Sequence, residues 1–194
     1  MKLSICLRGK ICYAATSSEN ALVHESENLR SVSDDIVPFI RDVIDGKEGE
    51  ISELIVSAGP GSFTSIRVLN SIARGILITK PSISVVSVSN FLPYLMILRQ
   101  HKKDDGIIAI PTMRGDFFCM DFLDDSIYNY RVCDEDVLQD TYQNVYFDDS
   151  EIFNSHNFAG VQLEILGSNI ANINKNLIHN NLDVVYGFDP EYKY

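Results

Sequence analysis

Gly59-Pro60-Gly61-Ser62-Phe63-Thr64-Ser65-Ile66-Arg67-Val68 follows a short apolar run, Leu54-Ile55-Val56-Ser57-Ala58, and opens a segment whose apolar positions recur at helical spacing. Strand, glycine turn and helix in that order suit an anion, because the first turn of a helix offers unpaired N–H groups and a partial positive charge. Gly59 and Gly61 let the backbone turn sharply and approach a neighbour closely. Ser62 or Thr64 can cap the helix. The loop is neither G-x-x-x-x-G-K-[ST] nor G-x-G-x-x-G, and no lysine follows it to reach a phosphate. Two readings stay open: a tight turn with a serine cap, or a phosphate cradle.

The helix after the loop runs from about Ser62 to Thr79, with Pro81 just beyond its end. Ile66, Leu69, Ala73, Ile76 and Leu77 form a core stripe, and Val68 and Ile72 widen it. The apolar arc then covers roughly half the circumference, where a stripe of about 100° suffices to cover one sheet. Arg67, Asn70, Ser71 and Arg74 take the remaining face. Such a surplus is covered either within the chain or by a partner.

Outward from the loop, strands and helices alternate, which predicts α/β layering. Leu3, Ile5 and Leu7 alternate, Arg8-Gly9 breaks the run, and Ile11, Tyr13 and Ala15 alternate again, as in a hairpin with one buried face. Residues 16–32 are polar and read as a loop. Ser33 precedes Asp34 and Asp35 as an N-cap with acids in the first turn; Ile36, Ile40, Val43 and Ile44 follow at helical spacing, and Gly46 suits the stop. Strands are expected over 83–88, 106–110 and 117–122, with a helix capped by Ser89 that holds Phe91, Leu92, Leu95, Met96 and Leu98. Past residue 124 the pattern weakens, with strands expected near 143–147, 162–166 and 183–186 and no internal repeat.

The chain has 194 residues, 45% apolar and 22% charged, the mix of a soluble globular protein with a sizeable core. Its net charge of −11 argues against a strong grip on nucleic acid by the chain alone, since binding to phosphates rests on basic patches. An acidic subunit can still join a basic partner. Cys6, Cys12, Cys119 and Cys133 form no C-x-x-C pair and read as free thiols in a reducing cytosol. No run reaches the roughly 20 apolar residues of a membrane span, and the N-terminal run is too short for a signal peptide.

Residues able to do chemistry are sparse. His24, His101, His156 and His179 stand far apart without metal-ligand spacing, so no metal site is expected. Asp104-Asp105, Asp124-Asp125 and Asp148-Asp149 read as solvated turns. No G-x-S-x-G elbow occurs.

The Gly59–Val68 string resembles the G-P-G-S-F-T-G-[LI]-R-[IV] segment of the TsaB (YeaZ) family, the tRNA threonylcarbamoyladenosine biosynthesis protein B. Other segments agree in order. Asp35–Ile40 is similar to the family's L-x-P helix, Ser87–Leu92 to its V-S-[ST]-L segment, and Ile110–Phe118 to its I-D-A-R-x-G-E-V-Y segment. Leu166-Gly167 and Pro190-Glu191-Tyr192 resemble a late glycine and a terminal P-x-Y. The likeness is good over about residues 30–120.

The resemblance implies the actin-like ATPase (RNase H-like) fold, α/β with two small lobes of mixed sheets flanked by helices. Residues 1–98 would form the N-terminal lobe with the loop and docking helices, and 99–194 a diverged C-terminal lobe. It also implies a non-catalytic scaffold that supports a TsaD-type catalytic subunit, joined by a TsaE-type ATPase. Together these transfer threonylcarbamoyl from an adenylate to tRNA, which this chain would meet only indirectly. No cofactor is expected. The interface with that partner, or with a second copy in a homodimer, would use Phe63, Ile66, Arg67, Val68, Leu69, Asn70, Ile72, Ala73 and Ile76, beside the loop residues Gly59, Pro60, Gly61, Ser62 and Thr64. Three departures stand out. The family's opening Asp-Thr-Ser strand is absent, and the chain reads as beginning at the next strand. Val32 stands where a histidine often occurs, and Pro111 at the aspartate of I-D-A-R. They argue against binding of nucleotide or metal by this chain alone. A small actin-like ATPase or phosphotransferase using the loop as a cradle is the alternative, and a degenerate paralogue with another partner a third.

Overall fold

The computed structural model of the chain describes residues 1–17, 21–27, 32–112, 114–124, 126–141, 143–148, 151–167 and 178–179. In chain order the elements are β1 (Lys2–Arg8), β2 (Ile11–Thr16), β3 (Ala21–Glu25), α1 (Val32–Ile44), β4 (Glu53–Ser57), α2 (Phe63–Thr79), β5 (Ser84–Val88) and α3 (Phe91–Gln100). There follow β6 (Asp105–Pro111), β7 (Phe117–Leu123), β8 (Ser126–Cys133), α4 (Glu135–Thr141), β9 (Val145–Phe147), α5 (Ser155–Gly167) and β10 (Ile178–His179).

The first sheet has the order β10-β5-β4-β1-β2-β3. β1 runs parallel to β4, β4 runs parallel to β5, and β1-β2-β3 form an antiparallel meander. The second sheet, β8-β7-β6-β9, repeats that plan: β6-β7-β8 is a meander and β9 lies parallel to β6. This is the actin-like, RNase H-like arrangement of two mixed sheets flanked by helices. β1 lies inside the first sheet, between β2 and β4.

The hairpin turn Gly9-Lys10, with Gly9 at φ +58°, pairs Arg8 with Ile11 and Leu3 with Thr16. Leu3, Ile5 and Leu7 therefore share a face with Cys12 and Ala14, and pack beneath α1 and α2. Ile11, Tyr13 and Ala15 lie on the opposite face with Ser4, Cys6 and Arg8, so the hairpin is buried on both sides rather than one. That second face meets α3, α5 and the inner residues of the other sheet, Ile108, Ile110, Phe118 and Phe122, in one shared core. Every residue of α3 from Phe91 to Leu98 is buried, as befits a helix that is apolar on all sides. Ser89 Oγ accepts from the Phe91 N–H at 3.3 Å, while Asn90 holds the N-cap position.

Three readings of the sequence are corrected. Residues 21–25, expected as loop, form the edge strand β3, whose Leu22 and Val23 are exposed and so broke the alternation expected of a strand. The 162–166 strand is helix: Phe158, Val161, Gln162, Ile165 and Leu166 are all buried at helical spacing, although Val161, Leu163 and Ile165 alone also alternate. Ser33 lies inside α1, which starts at Val32. The strand expected near 143–147 is β9; that near 183–186, and Pro190-Glu191-Tyr192, fall outside the described residues. After α4 the chain returns to the first sheet, where α5 packs on β1, β2 and β3, and β10 pairs with β5.

Gly106 on β6 fixes how closely β9 can approach. Its φ is +143°, and a Cβ there would stand 2.6 Å from the Asn144 carbonyl oxygen and 2.7 Å from the Tyr146 ring. Gly106→Ala should cost about 2 kcal/mol or more, read as a lowered urea midpoint; Gly49→Ala, where nothing lies within 4 Å, serves as the control.

Candidate functional site

The glycine loop is tied to the start of α3. The Ala58 N–H donates to Val88 O at 2.8 Å, the Asn90 N–H to Gly59 O at 2.8 Å, and Asn90 Nδ2 to Pro60 O at 2.8 Å. Gly61 faces Asn90 so closely that a Cβ would lie 3.1 Å from Nδ2. Gly59, at φ +105°, precedes a cis bond to Pro60. Ser62 takes the N-cap position by backbone alone, its side chain making no capping bond, and Thr64 lies exposed in the first turn of α2. One turn in, Ser65 Oγ donates to Gly9 O at 3.2 Å, fastening α2 to the β1–β2 turn.

α2 divides the expected interface residues into two sets. Ile66, Leu69 and Ala73 are buried in the chain's own core. Phe63 and Arg67 are exposed, and Val68, Asn70, Ile72 and Ile76 are half-buried. Between α1 and α2 opens a groove of about 460 Å³ lined by Ser33, Val37, Phe63, Thr64, Arg67, Val68, Ser71 and Ile72. Phe63 is 56% and Val37 47% exposed, so the groove presents apolar side chains to solvent. The Arg67 guanidinium lies 4.6 Å over the Phe63 ring and holds it in place. Ser33, Val37 and Ser71 are the lining residues that sequence reasoning left out of the interface, and the apolar one is Val37 on α1. It sits on the polar side of α1's pattern, next to Pro38, and its exposure is set by how α1 crosses α2.

A second cluster lies between the two sheets. Arg8, the last residue of β1, places Nε 2.5 Å from Asp148 Oδ1 and donates through Nη1 to Phe153 O at 2.9 Å. The Tyr94 hydroxyl donates to the same Asp148 oxygen, and Arg8 Nη2 to the Asp148 carbonyl. The guanidinium packs 4.7 Å over the Phe158 ring. Asp148, read from sequence as part of a solvated turn, is thus a buried ion-pair partner; Asp149 is outside the described residues. Nothing in the chain order could pair positions 140 apart. Burial works against the charge on Arg8, but the nearby Tyr94, Asp148 and Tyr13 oxygens outweigh it and raise its pKa. Burial, reinforced by the charge of Asp148, holds Tyr94 well above its ordinary value, so its hydroxyl remains a donor.

Other candidates do not assemble. His24 on β3 is half-buried, stacked on Phe39 and 3.5 Å from Asp35; His101 and His156 are exposed. Among the described residues no three of His, Cys, Asp or Glu gather as metal ligands, and no helix is long and apolar enough to cross a membrane. The four cysteines are free, three of them buried and Cys133 half-buried.

No family model matches the chain. Over 100 residues it is 32% identical to the tRNA threonylcarbamoyladenosine biosynthesis protein TsaB of Buchnera aphidicola subsp. Acyrthosiphon pisum (strain APS), a match covering 45% of each chain. The chain thus spans less than half the length of that curated relative. Among solved structures, a Pseudomonas aeruginosa protein described as similar to peptidase YEAZ superposes with a TM-score of 0.55 at 18% identity, covering 69% of this chain and 66% of that one. YeaZ from Pseudomonas aeruginosa gives 0.54 at 18% identity, covering 69% and 67%. The sequence match and both structural likenesses fall on the TsaB/YeaZ family.

Burial pushes the Cys6 thiol from 9.0 up to about 12. Unfolded thiols lose protons above their ordinary pKa while Cys6 keeps its own, so stability is full below that value and falls as pH rises through this window. Between about pH 8 and pH 10.5 the urea midpoint should drop, with about 2 kcal/mol traceable to Cys6 and removed in Cys6→Ala.

Proposed function

We propose, with kinship to the TsaB/YeaZ family as the premise, that this chain serves threonylcarbamoyladenosine biosynthesis on tRNA as a non-catalytic docking subunit. It binds a TsaD-type catalytic partner in the cytoplasm, a TsaE-type ATPase joins through the complex, and tRNA is met only through that assembly. The observation that carries this reading is the groove between α1 and α2, where Val37, Phe63, Val68 and Ile72 leave apolar surface open to solvent beside the glycine loop. Apolar side chains gathered in one groove and rimmed by polar residues suit a protein–protein contact.

The face also suits recognition by position. The loop is anchored through Asn90 to the buried helix α3, and α2 is anchored through Ser65 to the β1–β2 turn. A partner resting on Phe63 and Ile72 therefore meets a preorganised surface, and little ordering cost opposes binding. A homodimer through the same face is the competing use of that surface.

Ile72→Asp places a charge in the groove at a half-buried position that packs against the buried stripe from outside it, so the fold is checked alongside binding. Co-purification with a TsaD-type protein should weaken at least tenfold, as for a central interface residue, while circular dichroism stays that of the native chain. Leu69→Asp should instead unfold the chain, because Leu69 is 1% exposed. A folded Ile72→Asp chain that binds its partner normally sinks the assignment. Calorimetry with ATP and magnesium on the isolated chain separates this reading from a phosphate cradle, and tight binding would favour the cradle.

A further inference from the structure

Arg8 ends β1, and Asp148 directly follows the last residue of β9. Each stands at the carboxyl end of a strand that runs parallel to a neighbour, β1 beside β4 and β9 beside β6. In layered α/β proteins the crevice outside such ends is where ligands are held. Here the chain's own groups fill it. The Arg8 and Asp148 side chains are only 14% and 11% exposed. Tyr94 from α3, the Phe153 carbonyl and the Phe158 ring of α5 complete the enclosure. Five separate segments meet at one guanidinium–carboxylate pair.

We propose that the Arg8–Asp148–Tyr94 cluster is an interlobe latch, an internal ion pair that keeps the crevice between the two sheets closed as a bound ligand would. The second sheet reaches the first sheet's inner face through the shared core around α3, and the latch closes the open rim of that core. Asp148 is carried by the second sheet, because its N–H donates to Ala109 O on β6 at 3.0 Å. Releasing the carboxylate lets the β9 end of that sheet move off the tip of β1, and the residue it uncovers is Cys6. That thiol lies two residues before Arg8 on the same face and is 4% exposed. Cys12 lies on the opposite face of the same hairpin, in the core under α1 and α2, 2% exposed and untouched by the latch.

The two thiols make the test internal to one molecule. Trypsin cuts after Arg8 and Lys10, so Cys6 and Cys12 fall on separate peptides, and mass spectrometry reads the alkylation of each. In the full chain, Asp148→Asn should speed Cys6 modification by roughly tenfold or more, since the buried guanidinium loses its counter-charge, while Cys12 keeps its native rate. Tyr94→Phe, which leaves both charges in place, should move Cys6 in the same direction by less; it carries the test alone if circular dichroism shows Asp148→Asn misfolded. Equal acceleration at Cys6 and Cys12 means global destabilisation and overturns the latch. So does a Cys6 rate unchanged in folded variants.

Discussion

β1 is hydrogen-bonded along both edges, to β2 on one side and β4 on the other, and packed on both faces. A strand so enclosed has no solvent to receive its polar groups, so its side-chain alternation has to match two different layers. Leu3, Ile5 and Leu7 meet α1 and α2, while Ser4, Cys6 and Arg8 point toward α5, α3 and the second sheet. Ser4 Oγ donates to Gln162 Oε1 at 2.6 Å, and Arg8 forms an ion pair with Asp148. The α1–α2 face and the cluster between the two sheets are the outer and inner consequences of the same strand.

The middle of the chain was legible because its elements are long and periodic. α2, β4, β5, β6 and β7 sit within a residue or two of where their apolar spacing places them. α3 was recognisable as a helix, but its burial on every side was not, since burial of that kind depends on a second sheet whose later strands carry weak signals. β3 and β8 escaped notice for a related reason: each is an edge strand with exposed apolar or aromatic side chains, such as Leu22, Tyr128 and Tyr130, so neither alternates cleanly. The repeat of the first sheet's plan in the second is one of topology, and no repeated residues announce it.

The candidate site was half legible. The helical wheel gave α2 too many apolar positions for one sheet, and the structure divides them: Ile66, Leu69 and Ala73 turn inward, whereas Phe63, Val68 and Ile72 remain at the groove. Which positions fall on which side depends on the angle at which α1 crosses α2, a long-range quantity. Asp148 was misplaced by local reading as a turn acid, and Arg8 was read only as part of the break between two alternating runs, because a turn-forming residue type says nothing about a partner across the fold.

A buried ion pair is a costly way to hold two layers together. Removing a guanidinium and a carboxylate from water costs several kcal/mol per ion, and well-packed apolar residues of like volume are often as good or better for stability. What the pair adds is discrimination among arrangements. An apolar contact between the tip of β1 and the end of β9 would tolerate sliding, but Arg8 is satisfied only where Asp148, the Phe153 carbonyl and the Phe158 ring converge. The second sheet is thereby held at one position relative to the first. The α1–α2 face lies on the far side of the first sheet from that pair, so a partner docked there meets a platform whose backing layer is fixed by charge as well as by packing.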